Sequence, residues 1–398
     1  MRFDWLRIFD EGGPMLTVRN ISSTGYRSLR RIGFPVDALS VFIGANGVGK
    51  TNLYRALERL QAAAAGTLVR DLAAEGGMDS VIWAGSRSGK GPVRVGWTVE
   101  LGDEATAFVY KYETEVGLVP RTGDGPSGAA FLLEPQIKRE RLTVLSDRRP
   151  AIMLKRDGPA GFARGDDGRK RAFGTSLLAT ATALAALQDA VAFPELHLVR
   201  RALLDWRFHH DFRTDAASAL RRPCLAVTTP TLSSDGSDLA AVFATLRHIR
   251  QDTVDLDEAV ADAFPGAHLV IPSPGREASF GMVFPDYPKR VFEAAELSDG
   301  TLRYLALAGA LLAYRLPPFI ALNEPETSLH PDLLDPLARM IVKASQRSQV
   351  WLVTHSERLA DAIAAHGGVS PRRVVKREVA TWIDGLKLSG EFAEIEDA

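Results

Sequence analysis

Gly44-Ala45-Asn46-Gly47-Val48-Gly49-Lys50-Thr51 follows an apolar, β-rich run, Ala38–Ile43, and precedes Asn52–Ala65, a stretch rich in Leu, Ala, Arg and Glu. Strand, glycine-rich loop and helix in that order are what a phosphate-binding loop requires. Successive backbone N–H groups turn inward and a helix N-terminus adds its positive end. Gly44, Gly47 and Gly49 permit the tight path. Lys50 is expected to reach the β- and γ-phosphates and Thr51 to ligate Mg²⁺, with nucleotide contacts running from Gly44 through Asn52. Alone, the motif predicts a bound nucleotide and nothing about its use; a surface turn ahead of a helix is the bland alternative.

Three later motifs narrow the reading. Phe319–Leu322 reads as an apolar strand that runs into Asn323-Glu324-Pro325-Glu326. Ligands of open α/β sheets bind at such strand ends, and a carboxylate there can orient or deprotonate an attacking water. Glu324 is therefore the expected catalytic carboxylate. Asn323 stands where an acidic residue would hold Mg²⁺ through water; its amide oxygen can accept a hydrogen bond but brings no charge. Gln349–Val353 is the next strand, and His355 follows it, beside Glu324 on the same sheet edge and placed to sense a γ-phosphate. Leu297-Ser298-Asp299-Gly300-Thr301-Leu302-Arg303 opens a helix, Thr301–Arg315, that is apolar almost all round and so must be buried. Ser298 and Asp299 make a good N-cap. The same exposed helix tip could also bind the γ-phosphate held by another subunit, which would put Ser328 and His330 at a dimer seam.

The rest of the chain sets bounds. It has 398 residues, 46% hydrophobic and 24% charged, enough for about two to three domain-sized units. A net charge of −1 gives no global pull toward nucleic acid or membrane, so any such binding needs a local patch. Cys224 is the only cysteine, which excludes a disulfide framework and a cysteine zinc site. No apolar run approaches the ~20 residues that span a bilayer, and the start of the chain is too charged for a secretory signal. A reducing cytoplasm fits. Val93–Leu101, Ala107–Thr114 and Arg141–Leu145 alternate as an antiparallel layer would. Ser176–Ala192 and Ser237–Phe264 read as helical. Helices at Asp332–Ser345 and Glu357–Ala365, set between the strands named above, predict a parallel sheet covered by helices.

Taken together, the four motifs resemble the ATP-binding-cassette ATPase heads of the RecF and SMC kind. They look closest to bacterial predicted ATPases whose signature reads Leu-Ser-Asp-Gly-Thr-Leu-Arg. Tyr26-Arg27-Ser28-Leu29 and Ser234–Leu239 extend the likeness across most of Met15–Ile383. The resemblance implies an α/β P-loop NTPase with a mixed or parallel sheet core, an antiparallel β layer and a helical insert. It also implies ATP and Mg²⁺ as cofactors and an ATP-dependent homodimer that sandwiches two nucleotides, with Ser298, Asp299, Gly300 and Thr301 acting in trans. The expected organisation is an N-terminal extension (1–14), an ATP-binding lobe (15–174), a helical insert or short arm (175–265) and a second ATPase lobe (266–398). Neither sustained heptads nor a Cys-x-x-Cys pair accompanies the insert, so a long tethering arm is not expected. No Asp-x-Asp pattern of a metal-dependent nuclease follows His355.

Basic residues at Lys138–Arg156, Arg169–Arg171 and Arg200, Arg201, Arg207, Arg213, Arg221 and Arg222 fit either DNA phosphates or a solvated mixed-charge surface. Trp206, Phe208, His209, His210 and Phe212, beside these arginines, read as a helix packing face rather than a base-stacking platform. The leading expectation is ATP hydrolysis coupled to dimer closure on DNA. The alternative is a nucleotide-gated switch for an unidentified protein partner, with little turnover, which Asn323 favours. A transporter motor is disfavoured by the antiparallel layer and the Asp-Gly-Thr signature, and no membrane partner is expected.

Overall fold

The computed structural model describes residues 16–86, 93–103, 106–118, 131, 133–146, 149–173, 177–210 and 212–393. The expected extension at 1–14 lies outside them. The chain is α/β, and divides into two compact units: Met1–Asp37, Ala45–Trp206 and Val374–Ala398 form the first, Ala38–Gly44 and Arg207–Arg373 the second.

The first unit is built on an eight-stranded antiparallel sheet. Its order is Leu29–Pro35, Leu16–Tyr26, Arg94–Asp103, Val109–Gly117, Gln136–Leu145, Ala151–Asp157, Ala160–Arg164 and Lys170–Ala172. Alternation puts Val95, Trp97, Val99 and Leu101 on one buried face, as a sheet solvated on its other side requires. The helix Lys50–Ala65 lays Leu53, Leu57 and Leu60 against Ile21, Leu29, Ile32 and Phe34 of that sheet. From Val374 onward the strand Arg372–Arg377 pairs antiparallel with Ala380–Ile383.

The expected helix Ser176–Ala192 is not formed as such; among the described residues of that range, 177–192, only Ala183–Ala186 is helical. Tertiary hydrogen bonds fix where that short helix begins and take carbonyls ahead of it. Glu140, fully buried, accepts from the N–H groups of Ala183 and Leu184 and from the Tyr112 hydroxyl. Arg156, equally buried, donates to the carbonyls of Leu178, Ala181 and Gly158. Burial pushes the Glu140 carboxyl above its ordinary range, and those donors and Arg156 pull it back.

The second unit holds a parallel sheet in the order Arg207–His209, Phe319–Asn323, Gln349–Thr354 and Leu39–Ile43, edged by Arg372 and Arg373. The stretch read as a helix face around Phe208 is therefore a strand at one edge. Its Phe208 and His209 are buried because they pair beside Ala321 and Leu322. Register aligns the strand ends: Asn323 lies opposite Val353, Val353 opposite Phe42, and Thr354 opposite Ile43. Helices Leu334–Ser345 and Glu357–Gly367 are the crossovers that parallel pairing demands. The expected helix Ser237–Phe264 is broken into Leu239–Ala244, a π-helical turn Thr245–Arg250, and Val254–Ala263. The helix Asp299–Leu312 is buried from Thr301 to Leu312, and each fully buried leucine along it contributes about 1.5–3 kcal/mol relative to exposure.

Candidate active site

In the first unit the glycine-rich loop exposes Ala45, Asn46 and Gly47 and buries Lys50. Gly47 and Gly49 sit at φ 79 and 101, and Gly49 is the left-handed residue that launches the helix Lys50–Ala65. A side chain at Gly49 would collide with Thr381 Oγ1 and Ser28 Oγ. Those two hydroxyls are a floor under the loop. Thr381 Oγ1 donates to the Val48 carbonyl at 2.7 Å and lies 2.6 Å from Ser28 Oγ, which accepts from Asn52 Nδ2 at 2.7 Å. The Thr381 N–H donates to the Ser28 carbonyl. Lys50 Nζ donates to the Ala45 carbonyl at 3.0 Å, spanning the loop that the phosphates would fill. Ser28 falls in Tyr26-Arg27-Ser28-Leu29, a segment that carries part of the family likeness, but nothing local marks Thr381.

In the second unit Asn323, Glu324, Thr354 and His355 meet at the aligned strand ends, with Gly44 directly after the adjacent strand Leu39–Ile43. Glu324 adopts φ 50, a conformation that costs a non-glycine residue about 1–3 kcal/mol and is found where function over-determines the backbone. Its N–H donates to the Val353 carbonyl at 2.7 Å, and buried Arg303 of the helix Asp299–Leu312 reaches its carbonyl at 3.5 Å. The His355 ring Nδ1 lies 3.8 Å from Glu324 Oε1 and 3.1 Å from Glu326 Oε1. Glu326 organises this corner. One of its oxygens accepts from the Thr354 hydroxyl at 2.6 Å and from the His355 N–H at 3.0 Å, besides facing the imidazole. Its side chain is 5% exposed against 33% for Glu324, so Glu326 is a brace while Glu324 is open to a reactant. The exposure difference agrees with Glu324 as the expected catalytic carboxylate, and it gives Glu326 a supporting place that its sequence position did not indicate.

The N-terminal tip of the helix Asp299–Leu312 is open. Ser298 and Asp299 are exposed and Gly300 half-buried, while Ser298 Oγ caps the helix by accepting from the Thr301 N–H at 3.2 Å. A Cβ on Gly300 would stand 3.1 Å from the Ser328 carbonyl, so the tip and the turn at Ser328, itself at φ 64, are in close contact. His330 is exposed, and its Nδ1 caps the turn Pro331–Leu333 by accepting from the Asp332 N–H.

Asn323 is 3% exposed. Its Nδ2 donates to His210 Nδ1 at 2.7 Å, and its Oδ1 is buried with no hydrogen-bond partner among the described residues. A buried carbonyl oxygen without a donor suits a water of a hard, oxygen-seeking cation. Within the second unit the Asn323 amide thus fits an outer role toward Mg²⁺ without adding charge; within the first, the Thr51 hydroxyl, half-buried at the start of Lys50–Ala65, is a neutral oxygen of the kind that ion takes. No cluster of three or more His, Cys, Asp or Glu suited to a metal occurs among the described residues. His209 is a core residue; burial brings its imidazole down to about 4. Several cations considered for DNA are engaged within the chain: Arg139 with Glu115 and Asp157, Arg171 with Asp166 and Asp167, Arg213 with Asp215, and Arg200 with the Ala64 carbonyl.

No helix among the described residues is long and apolar enough to cross a membrane. No curated protein matches the chain. Among solved structures, the Smc head bound to the C-winged helix domain of ScpA superposes with a TM-score of 0.54 at 14% identity, over 94% of this chain and 99% of that one. An Smc head domain with an extended coiled coil, bound to the C-terminal domain of ScpA and derived from Pyrococcus furiosus, gives 0.52 at 13%, over 94% and 97%. Identities this low speak for fold: this is the α/β phosphate-loop fold of Smc heads. Residues 39–361, from the loop-bearing strand past His355, match one family, and the chain belongs to it, the AAA-domain family described as putative AbiEii toxin, Type IV TA system.

Proposed function

We propose that the protein hydrolyses ATP and that two copies close head to head around two nucleotides, as RecF- and SMC-like heads bearing this signature do. The observation that carries the reading is the strained, half-open Glu324 held 3.8 Å from His355 at the strand ends. Lys50 and the loop N–H groups hold the triphosphate. Glu324 orients the attacking water and takes its proton as the β–γ phosphoanhydride breaks, giving ADP and phosphate. His355, fixed by Glu326, contacts the γ-phosphate. Mg²⁺, when bound through Thr51 and a water on Asn323, would offset charge on the β- and γ-oxygens. Ser298–Thr301 of each copy receive the γ-phosphate held by the other, with Ser328 and His330 along the seam, and hydrolysis releases the pair. Glu324→Gln should trap an ATP-bound dimer detectable by light scattering; a variant that binds ATP and stays monomeric refutes the shared site.

A second reading is a nucleotide-gated switch, cytoplasmic like the first, that signals to a protein partner with little turnover. The neutral Asn323, with its amide tied to His210, favours it. Steady-state phosphate release no greater than that of Lys50→Ala would select this reading. Action on DNA rests on the resemblance, since much of the candidate charge is internally paired. Release rates that ignore duplex, single-stranded and nicked DNA at low salt would remove it.

A further inference from the structure

Arg221 was one of the arginines that sequence offered to DNA, yet its guanidinium is turned inward. It closes a 3-10 turn, Ala219–Arg221, that Ser218 caps by accepting from the Leu220 N–H. Nε donates to the Thr214 carbonyl at 2.8 Å, and Nη1 donates to the carbonyls of Ala295 and Leu297 at 2.9 and 2.7 Å. Nη2 reaches the Asp299 carboxylate at 2.7 Å. The Arg221 side chain is 14% exposed, that of Asp299 62%. One side chain therefore fastens the segment leading into the signature helix and also pairs the only charge at its tip.

We propose that Arg221 is the positioning residue that makes the Ser298–Thr301 tip able to receive the triphosphate of a second copy of this chain. The inference rests on the shared-site reading above. Two physical requirements point the same way. A receptor for an anion must be rigid, and the lead-in Ala295–Leu297 has its carbonyls gripped by a planar fork whose geometry a lysine cannot reproduce. A receptor for an anion must also not present a bare carboxylate. Asp299 sits in the first turn of the helix, where its charge favours the helix dipole but repels a phosphate; the guanidinium cancels that repulsion.

The test uses the full chain in a Glu324→Gln background. Arg221→Met should weaken ATP-dependent dimerisation by about thirtyfold or more, read by sedimentation, while the affinity of dilute monomer for ATP stays within about twofold. Arg221→Lys should restore only part, since charge returns without the fork. Asp299→Asn added to Arg221→Met should recover about tenfold by removing the unpaired carboxylate, a rescue that a purely structural arginine would not show. A Glu324→Gln parent that never dimerises refutes the shared site itself. A parent that dimerises alongside an Arg221→Met variant that does so equally well, or that gains nothing from Asp299→Asn, overturns the role of Arg221 alone. Were Arg221→Met unfolded by thermal melt, Arg221→Lys decides: full dimerisation with lysine overturns the proposal, a partial loss upholds it.

Discussion

Thr381→Val removes one oxygen from beneath the phosphate loop and preserves side-chain shape. Thr381 is 1% exposed, so no water replaces what is lost. Two interactions go: the bond to the Val48 carbonyl at 2.7 Å and the hydroxyl pair with Ser28 at 2.6 Å. At about 1 kcal/mol for each bond, plus about 1 kcal/mol for a carbonyl left short of a donor, the deficit is about 2–3 kcal/mol. Part of it falls on the folded state whatever is bound. The rest falls on the loop, because Val48 and Gly49 must hold the curvature that directs their N–H groups inward. If half is expressed there, nucleotide affinity drops about tenfold, since 1.4 kcal/mol is a factor of ten. A fluorescent ATP analogue titrated against wild type, Thr381→Val and Thr381→Ser measures it, with thermal melts in parallel. Serine keeps the oxygen and should bind within about threefold of wild type. A valine variant that melts earlier but binds nucleotide as tightly as wild type would refute the argument that this hairpin shapes the loop.

Two further outcomes follow from buried polar groups. Glu326→Gln keeps size but gives up the charge that strengthens bonds from Thr354, the His355 N–H and the imidazole, so urea denaturation should show a loss of about 2 kcal/mol; an unchanged midpoint would mean that Glu326 braces nothing. His209 has its pKa lowered to about 4 by burial, against about 6.5 in an unfolded chain, so between those values the unfolded state binds a proton that the folded state does not. Stability should therefore fall by about 3 kcal/mol as pH drops from 6.5 to 4 and be insensitive to this group above 7. His209→Phe should flatten that part of the melting-temperature profile, and an unaltered slope would assign the acid sensitivity elsewhere.

Local pattern carried much of the fold. The turn from Ile43 into glycine and then into Lys50–Ala65 is written in contiguous residues, and so are the strands that end at Asn323 and Thr354. Alternation in Val93–Leu101, Ala107–Thr114 and Arg141–Leu145 announced the antiparallel layer, because alternate residues of such strands face a core. What was illegible depends on partners distant in sequence. The Ala-rich stretch after Leu178 has good helix propensity, yet Arg156 takes the carbonyls of Leu178 and Ala181, and Glu140 starts the helix only at Ala183 by accepting from its first two N–H groups. Arg156 and Arg221 looked like surface charge because sequence shows a side chain's type and not the carbonyls waiting for it. Thr381 supports a loop more than three hundred residues earlier, and no spacing rule reaches that far.

The strand Leu39–Ile43 has a consequence for biosynthesis. Its neighbour in the sheet, Gln349–Thr354, is translated more than three hundred residues later. At ~5–20 residues per second, the nascent chain carries Leu39, Val41, Phe42 and Ile43 without that partner for about fifteen to sixty seconds. Closing so long a loop is also a slow route to a parallel pairing. Newly made copies should thus lean on chaperones until the ribosome finishes, and no contiguous fragment cut from the gene can supply either half of the molecule intact.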